Sequence, residues 1–263
     1  MPLPDRPLIP PTGRPASLLL HGASLTVLRE GREMSPSAAA DKIGRTEAVL
    51  RRWERGTHVP SGTEVRTLMD VYGVVDCEGT MRRLRGLRYA ADRHAVRDSA
   101  DGWLYRMWRV AEQAHHRTVL AVPRNAPRLV RDLASPSGTD GQQVTLVLPD
   151  SILHPSETSS VTAGHLLRLA DDPLIECRLY PTAMAVTCEG QGLLSRFALP
   201  GGHAVWVDQD PAPTYRTGPR SAEPTARLAS VTASAWSPAS SARRLTEAAH
   251  RMEHVYSAGR AAS

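Results

Sequence analysis

The stretch from Ser35 to Pro60, SPSAAADKIGRTEAVLRRWERGTHVP, constrains this chain more than any other. Ser35 is a side chain that caps a helix, and Pro36 suits the first helical position, where its missing N–H costs nothing. Ala38, Ala39 and Ala40 follow, and Ile43 closes a short helix. Gly44 tolerates the left-handed backbone that a sharp corner between helices needs. Thr46 then caps a second helix, Glu47 to Arg55, in which Val49, Leu50 and Trp53 make one apolar stripe. Gly56 ends that helix and Pro60 lies just beyond. The outer face is left with Glu47, Ala48, Arg51, Arg52 and Arg55. The pattern predicts a helix-turn-helix with an apolar inside and a basic outside, which points to DNA.

The same residues carry a resemblance. Met34-Ser35, Ala39-Ala40, Ile43-Gly44, Thr46, Leu50, Trp53-Glu54-Arg55-Gly56 and Pro60 resemble the phage-repressor type of helix-turn-helix, the XRE family. Leu25 and Leu28 upstream, with Leu68, Val71 and Tyr72 downstream, extend the likeness. Two residues depart from the family pattern. Pro36 stands where the family often has a glutamine that touches the DNA backbone, and Trp53 replaces a smaller aliphatic residue. The resemblance implies base reading by Glu47, Ala48 and Arg52 at the start of the second helix, beside its cap Thr46. Glu47 can accept from a cytosine amino group, Ala48 can touch a thymine methyl, and Arg52 can pair with guanine. Arg51 and Arg55 suit phosphates, unless they pair with Glu47 or Glu54 along the helix.

Charge follows the same division. Of the 32 Lys and Arg residues, only Lys42 is a lysine, a bias read as GC-rich coding and an actinomycete source. From Leu19 to Ala100 there are 14 basic against 11 acidic residues; from Val144 to Tyr256 there are 9 against 11. Phosphate attraction is therefore expected of the N-terminal part alone. Cys77, Cys177 and Cys188 are too far apart for a zinc or disulfide pattern. His115-His116 is followed by no ligand spacing and is read as a helix end. No nucleophile elbow or phosphate-cradling glycine loop is present, so no catalysis, metal or cofactor is expected. No apolar run approaches a membrane span, and a cytoplasmic protein is expected.

The expected fold class is a mainly α helix-turn-helix domain followed by an α/β domain with a mixed sheet. Residues 1–17 hold six prolines and read as a disordered arm, with Arg6 and Arg14 available to a minor groove. Residues 18–75 make the helix-turn-helix domain, with a Ser61–Glu64 capping box and Gly73 as a stop. Residues 76–101 read as a basic connector helix capped by Asp76, with Met81, Leu84, Leu87 and Ala91 as its apolar positions. Residues 102–256 make the regulatory domain and 257–263 a disordered tail. Within that domain a helix is expected over Trp103–Ala111, a polar linker over Ser135–Gln143, and strands at Val144–Leu148 and Leu174–Tyr180. The helix Val161–Ala170 between those strands implies a right-handed crossover and a parallel pair. Leu193–Leu199 and Ala204–Val207 read as a hairpin about Pro200-Gly201-Gly202-His203, and two helices close the chain.

The later segment, with Trp103, Ala111-Glu112-Gln113-Ala114, His165-Leu166-Leu167, Arg178-Leu179-Tyr180-Pro181 and Ser195-Arg196-Phe197, resembles the C-terminal domain of WhiJ-like actinomycete regulators. That resemblance implies a transcription regulator whose C-terminal domain binds a small protein encoded by a neighbouring gene, or a small molecule. A homodimer on double-stranded DNA is expected, because one such helix reads few base pairs. An antitoxin-like partner protein with autoregulatory DNA binding, and an enzyme fused to a helix-turn-helix, are the alternatives.

Overall fold

The computed structural model describes residues 13–133, 142–154, 160–184, 192–209 and 212–261. Most of the expected arm and linker, and Cys188, lie outside the described residues. Five helices come first: α1 (Ala16–Glu30), α2 (Pro36–Lys42), α3 (Glu47–Glu54), α4 (Gly62–Val71) and α5 (Cys77–Arg88). They are followed by β1 (Ala95–Arg97), α6 (Trp103–Ala111), β2 (His116–Leu120) and α7 (Ala126–Leu133). Then come β3 (Gln143–Pro149), α8 (Ser160–Asp171), β4 (Ile175–Tyr180), β5 (Leu193–Leu199), β6 (His203–Gln209) and β7 (Pro213–Arg216). The chain closes with α9 (Ala222–Ser234) and α10 (Pro238–Ala261). The strand order is β1-β7-β6-β5-β2-β3-β4, with parallel and antiparallel pairs, so the region after the first five helices carries a mixed sheet.

The fold divides into two compact units. The first takes residues up to Ala114 together with Leu199–Trp206 and Ala212–Ser221. Its helical core gathers Leu25, Ala39, Ala40, Leu50, Trp53, Val65, Leu68, Met69, Tyr72 and Leu84. The starts of α2, α3 and α5 are capped locally: Ser35 accepts from Ala38 N, Thr46 from Val49 N, and Asp76 from Gly79 N. Ser61 and Glu64 exchange both bonds of a capping box. Gly44 and Gly73 take the positive φ values that close the α2–α3 corner and the end of α4.

Two features of this unit differ from the sequence expectation. Helix α1 begins at Ala16, and the preceding Arg14 is 8% exposed, so residues 14–17 are packed chain. The connector helix expected over 76–101 stops at Arg88. The Asp92 carboxylate accepts from the backbone N–H groups of His94 and Ala95, a local turn that diverts the chain into β1. What remains, α5, packs its Leu84 into the helical core and donates from Arg88 to the Pro60 carbonyl at 2.9 Å. Helix α6 packs on α1, with Arg109 2.7 Å from Glu30.

The second unit takes His115–Ala198, Val207–Pro211 and Ala222–Ser263. Strand β2 lies parallel to β3 and antiparallel to β5, and β3 is parallel to β4. Leu146, Leu148 and Leu179 of the sheet pack with Leu166 and Leu169 of α8 in one apolar core. A strand buried on both faces reads as a nearly continuous aliphatic run, and Val144–Leu148 is such a run. The helix end expected at His115-His116 is instead the start of β2. The His116 Nε2 lies 3.0 Å from Thr145 Oγ1, and ladder bonding on both sides outweighs a weak helical signal. Helix α10 runs to Ala261, beyond residue 257 where a tail was expected; no proline interrupts that stretch.

Candidate nucleic-acid interface

Helix α3 presents two faces of different character. Leu50, Trp53 and Glu54 are buried, whereas Ala48, Arg51, Arg52 and Arg55 are exposed. The exposed four recur at intervals of three and four residues, which aligns them along one side of a helix. The Thr46 hydroxyl accepts from Val49 N at 3.4 Å and fixes the helix start; Glu47 follows in the first turn.

The structure divides the arginines. Arg51 Nε is 2.6 Å from Glu47 Oε1 across one helical turn, and both side chains are about half exposed (47% and 41%). Such a pair contributes only about 0.3–0.5 kcal/mol, so DNA phosphates can compete for Arg51. Arg52 has no ion pair or side-chain hydrogen bond among the described residues; its carbonyl accepts from the Thr57 hydroxyl. Arg55 sits at the C-cap with its guanidinium exposed and its carbonyl accepting from Arg14 at 2.8 Å. Arg45, beside the cap, is held by Glu64 at 2.8 Å. The face therefore offers guanidinium groups unengaged among the described residues at Arg52 and Arg55, one weakly engaged at Arg51, and a methyl group at Ala48.

A buried ion pair holds this face in place. Glu54 does not pair with its own helix. It turns inward and forms a two-pronged ion pair with Arg29 of α1, at 2.6 and 3.2 Å, with both side chains under a tenth exposed. Arg29 also donates to the Met34 carbonyl at 2.7 Å, just ahead of α2. Burial pulls the Arg29 pKa down, but the Glu54 carboxylate outweighs it and the net shift is upward. A single pair thus ties α1, the start of α2 and the end of α3.

Two glycines make the same junction close. A Cβ on Gly22 would lie 2.3 Å from the Glu54 carbonyl oxygen, and one on Gly56 would lie 2.4 Å from that of Leu18. Gly56 also needs φ +66°. The Glu54-Arg55-Gly56 sequence therefore reads as an anchor, a solvent-facing cation and a contact point. Gly22 carried no local signal, because its constraint comes from a segment more than thirty residues away.

Among the described residues, no group of three or more metal-ligating side chains lies together. None of the described helices is long and apolar enough to cross a membrane. Cys177 is buried in β4, and burial pushes its thiol pKa up to about 12.

Comparison with known families agrees with this geometry. Residues 22–84 match the family model of a helix-turn-helix domain. No curated protein and no solved structure matches the chain. The matched segment runs from the Gly22 contact to Leu84 and includes the Arg29–Glu54 anchor and the basic face of α3. The chain therefore carries a helix-turn-helix domain, an architecture for DNA binding, at residues 22–84.

Proposed function

We propose that this protein is a sequence-specific, DNA-binding transcription regulator that acts as a homodimer in the cytoplasm. The observation that carries this reading is the outer face of α3. It combines Ala48, Arg51, Arg52 and Arg55 on a helix that is capped, anchored by Glu54 and preceded by a tight corner at Gly44. An arginine and a methyl group on one face suit guanine and thymine in the major groove. Arg51 and Arg55 hold phosphates, and Thr46 and Glu47 lie at the end of the helix nearest the bases. The helix-turn-helix is of the XRE type.

The region after the helical domain is a regulatory module without catalysis. From Val144 to Tyr256 its 9 basic residues are outnumbered by 11 acidic ones, which gives phosphates little attraction there, and a small protein partner is the reading we favour. Two copies related by two-fold symmetry would read half-sites about 34–36 Å apart, which supplies the information one helix lacks.

Selection of bound duplexes from a random pool, followed by footprinting and mass measurement of the complex, tests this reading. The expected outcome is an enriched two-fold symmetric site covered by two protein chains. Failure to enrich any sequence would remove the DNA-reading role. A short asymmetric footprint under one chain would remove the dimer.

A further inference from the structure

Arg14 is buried, yet it has no carboxylate partner among the described residues. One guanidinium nitrogen donates to two neutral acceptors, the Arg55 carbonyl at 2.8 Å and the Gln113 side-chain oxygen at 2.9 Å. Burial first and the Arg55 cation second hold the Arg14 pKa below its ordinary value. The two other buried arginines of this unit are treated differently. Arg29 is matched by Glu54, and Arg106 by Asp98 at 2.7 and 2.8 Å. A buried cation without an anion is costly, and buried charges are ordinarily paired.

The space beside Arg14 is open. It lines a cavity of about 240 Å³ together with Gly13, Gly202, His203, Ala204, Thr217 and Ser221. It also lines a second cavity, which shares His203 and is bordered by Arg55 and Gln113. The backbone comes close to the first cavity at glycines held at positive φ, +95° at Gly13, +76° at Gly202 and +50° at Gly218. A Cβ at Gly13 would stand 3.1 Å from His203 Nδ1. Glycine at such points lets backbone approach a ligand closely. Glu112, the acid that borders the second cavity, is already held by Arg109 at 2.6 Å. All of these residues belong to the first compact unit.

We infer that the cavity beside Arg14 binds a small anion, a compact metabolite bearing a phosphate or carboxylate group, with the Arg14 guanidinium as its counter-ion and His203 on its wall. The first cavity, at about 240 Å³, lies below the volume of pockets for drug-sized ligands, which suits a compact occupant; the second, at about 580 Å³, is larger. The site is separate from the outer face of α3, although Arg14 touches the carbonyl that ends that helix.

The test is the thermal midpoint of the full chain, without DNA, titrated separately with inorganic phosphate and with malonate at constant ionic strength. At least one anion should raise the midpoint saturably, by about 2–4 °C at several times its Kd. The arm that responds identifies the group recognised. Arg14→Gln should abolish the saturable rise and leave only the gradual salt effect. Ala204→Leu, which fills the cavity and keeps Arg14, should abolish it too; this second variant decides the matter if Arg14→Gln does not fold. Arg51→Gln/Arg52→Gln should retain the rise, because those residues lie on the DNA-facing side. The inference is overturned by no saturable rise with either anion, by a rise that survives filling of the cavity, or by a rise lost with Arg51 and Arg52.

Discussion

In the helix-turn-helix region the decisive residues are polar groups and glycines; in the layer of β2, β3 and β4 they are interchangeable aliphatics. Glu54 meets one guanidinium with two oxygens, and Gly22 and Gly56 leave no room for a methyl group. Leu146 and Val147, fully buried in β3, ask only for apolar volume. Glu54 and the capping side chains of the first region have geometric partners, so their identity is fixed by direction as well as size. The second region is held by burial, which is non-directional and scales with area. A chemical role is therefore read more directly from the first region than from the second.

The sharpest way to break this comparison is Glu54→Ala. Removing one partner of a buried pair strands the other charge, so we expect a loss of about 3–5 kcal/mol in urea unfolding. Leu146→Met, by contrast, should cost under about 1.5 kcal/mol, because it conserves volume. Equal losses would mean that the two regions are held by the same kind of interaction.

His21 gives the next largest effect. It lies 3% exposed in α1, and burial, with Arg88 second, lowers its pKa to about 4 from 6.5. Its folded value is below its unfolded value, so the unfolded chain binds the proton more tightly. Stability from this residue is complete above about pH 6.5 and is lost as pH falls towards 4, by about 3 kcal/mol in all. His21→Gln should remove that part of the pH dependence. Parallel wild-type and variant curves between pH 7 and pH 4.5 would contradict it.

Gly56→Ala places a methyl group on a crowded backbone at positive φ and should cost about 1–3 kcal/mol, read as a lowered unfolding midpoint. The smallest effect belongs to Glu47→Ala. Its exposed pair with Arg51 should change stability by less than about 0.5 kcal/mol, so a larger loss would show that the outer face also carries fold stability.

Much of this was legible in the sequence where structure is local. The caps at Ser35, Thr46, Ser61 and Asp76 need only a hydroxyl or carboxylate a few residues from the amide it meets. The β3–α8–β4 unit was legible from its aliphatic runs and the helix between them. Long-range partners were not. Nothing local to Glu54 points to Arg29, and nothing local to Arg14 points to Gln113, since those pairs form only when distant segments meet. Short strands also escaped notice: β1 has three residues, and β7 begins with a proline. Residues on the outer face of α3 were named by pattern, with the pairing of Arg51 to Glu47 as one reading; that Glu54 turns inward to Arg29 instead of pairing along its helix is not set by local spacing.

The proposed function rests most heavily on base reading by the outer face of α3. Arg52 tests it most directly, because it is exposed and its guanidinium is unengaged among the described residues. Fluorescence anisotropy should be measured for wild type and Arg52→Ala on the selected duplex and on a scrambled one, with salt fixed. We expect a loss of about 5- to 150-fold on the selected duplex, a much smaller loss on the scrambled one, and an unchanged unfolding midpoint. Equal affinity of wild type and variant for the selected duplex, or an equal loss on both duplexes, would contradict it.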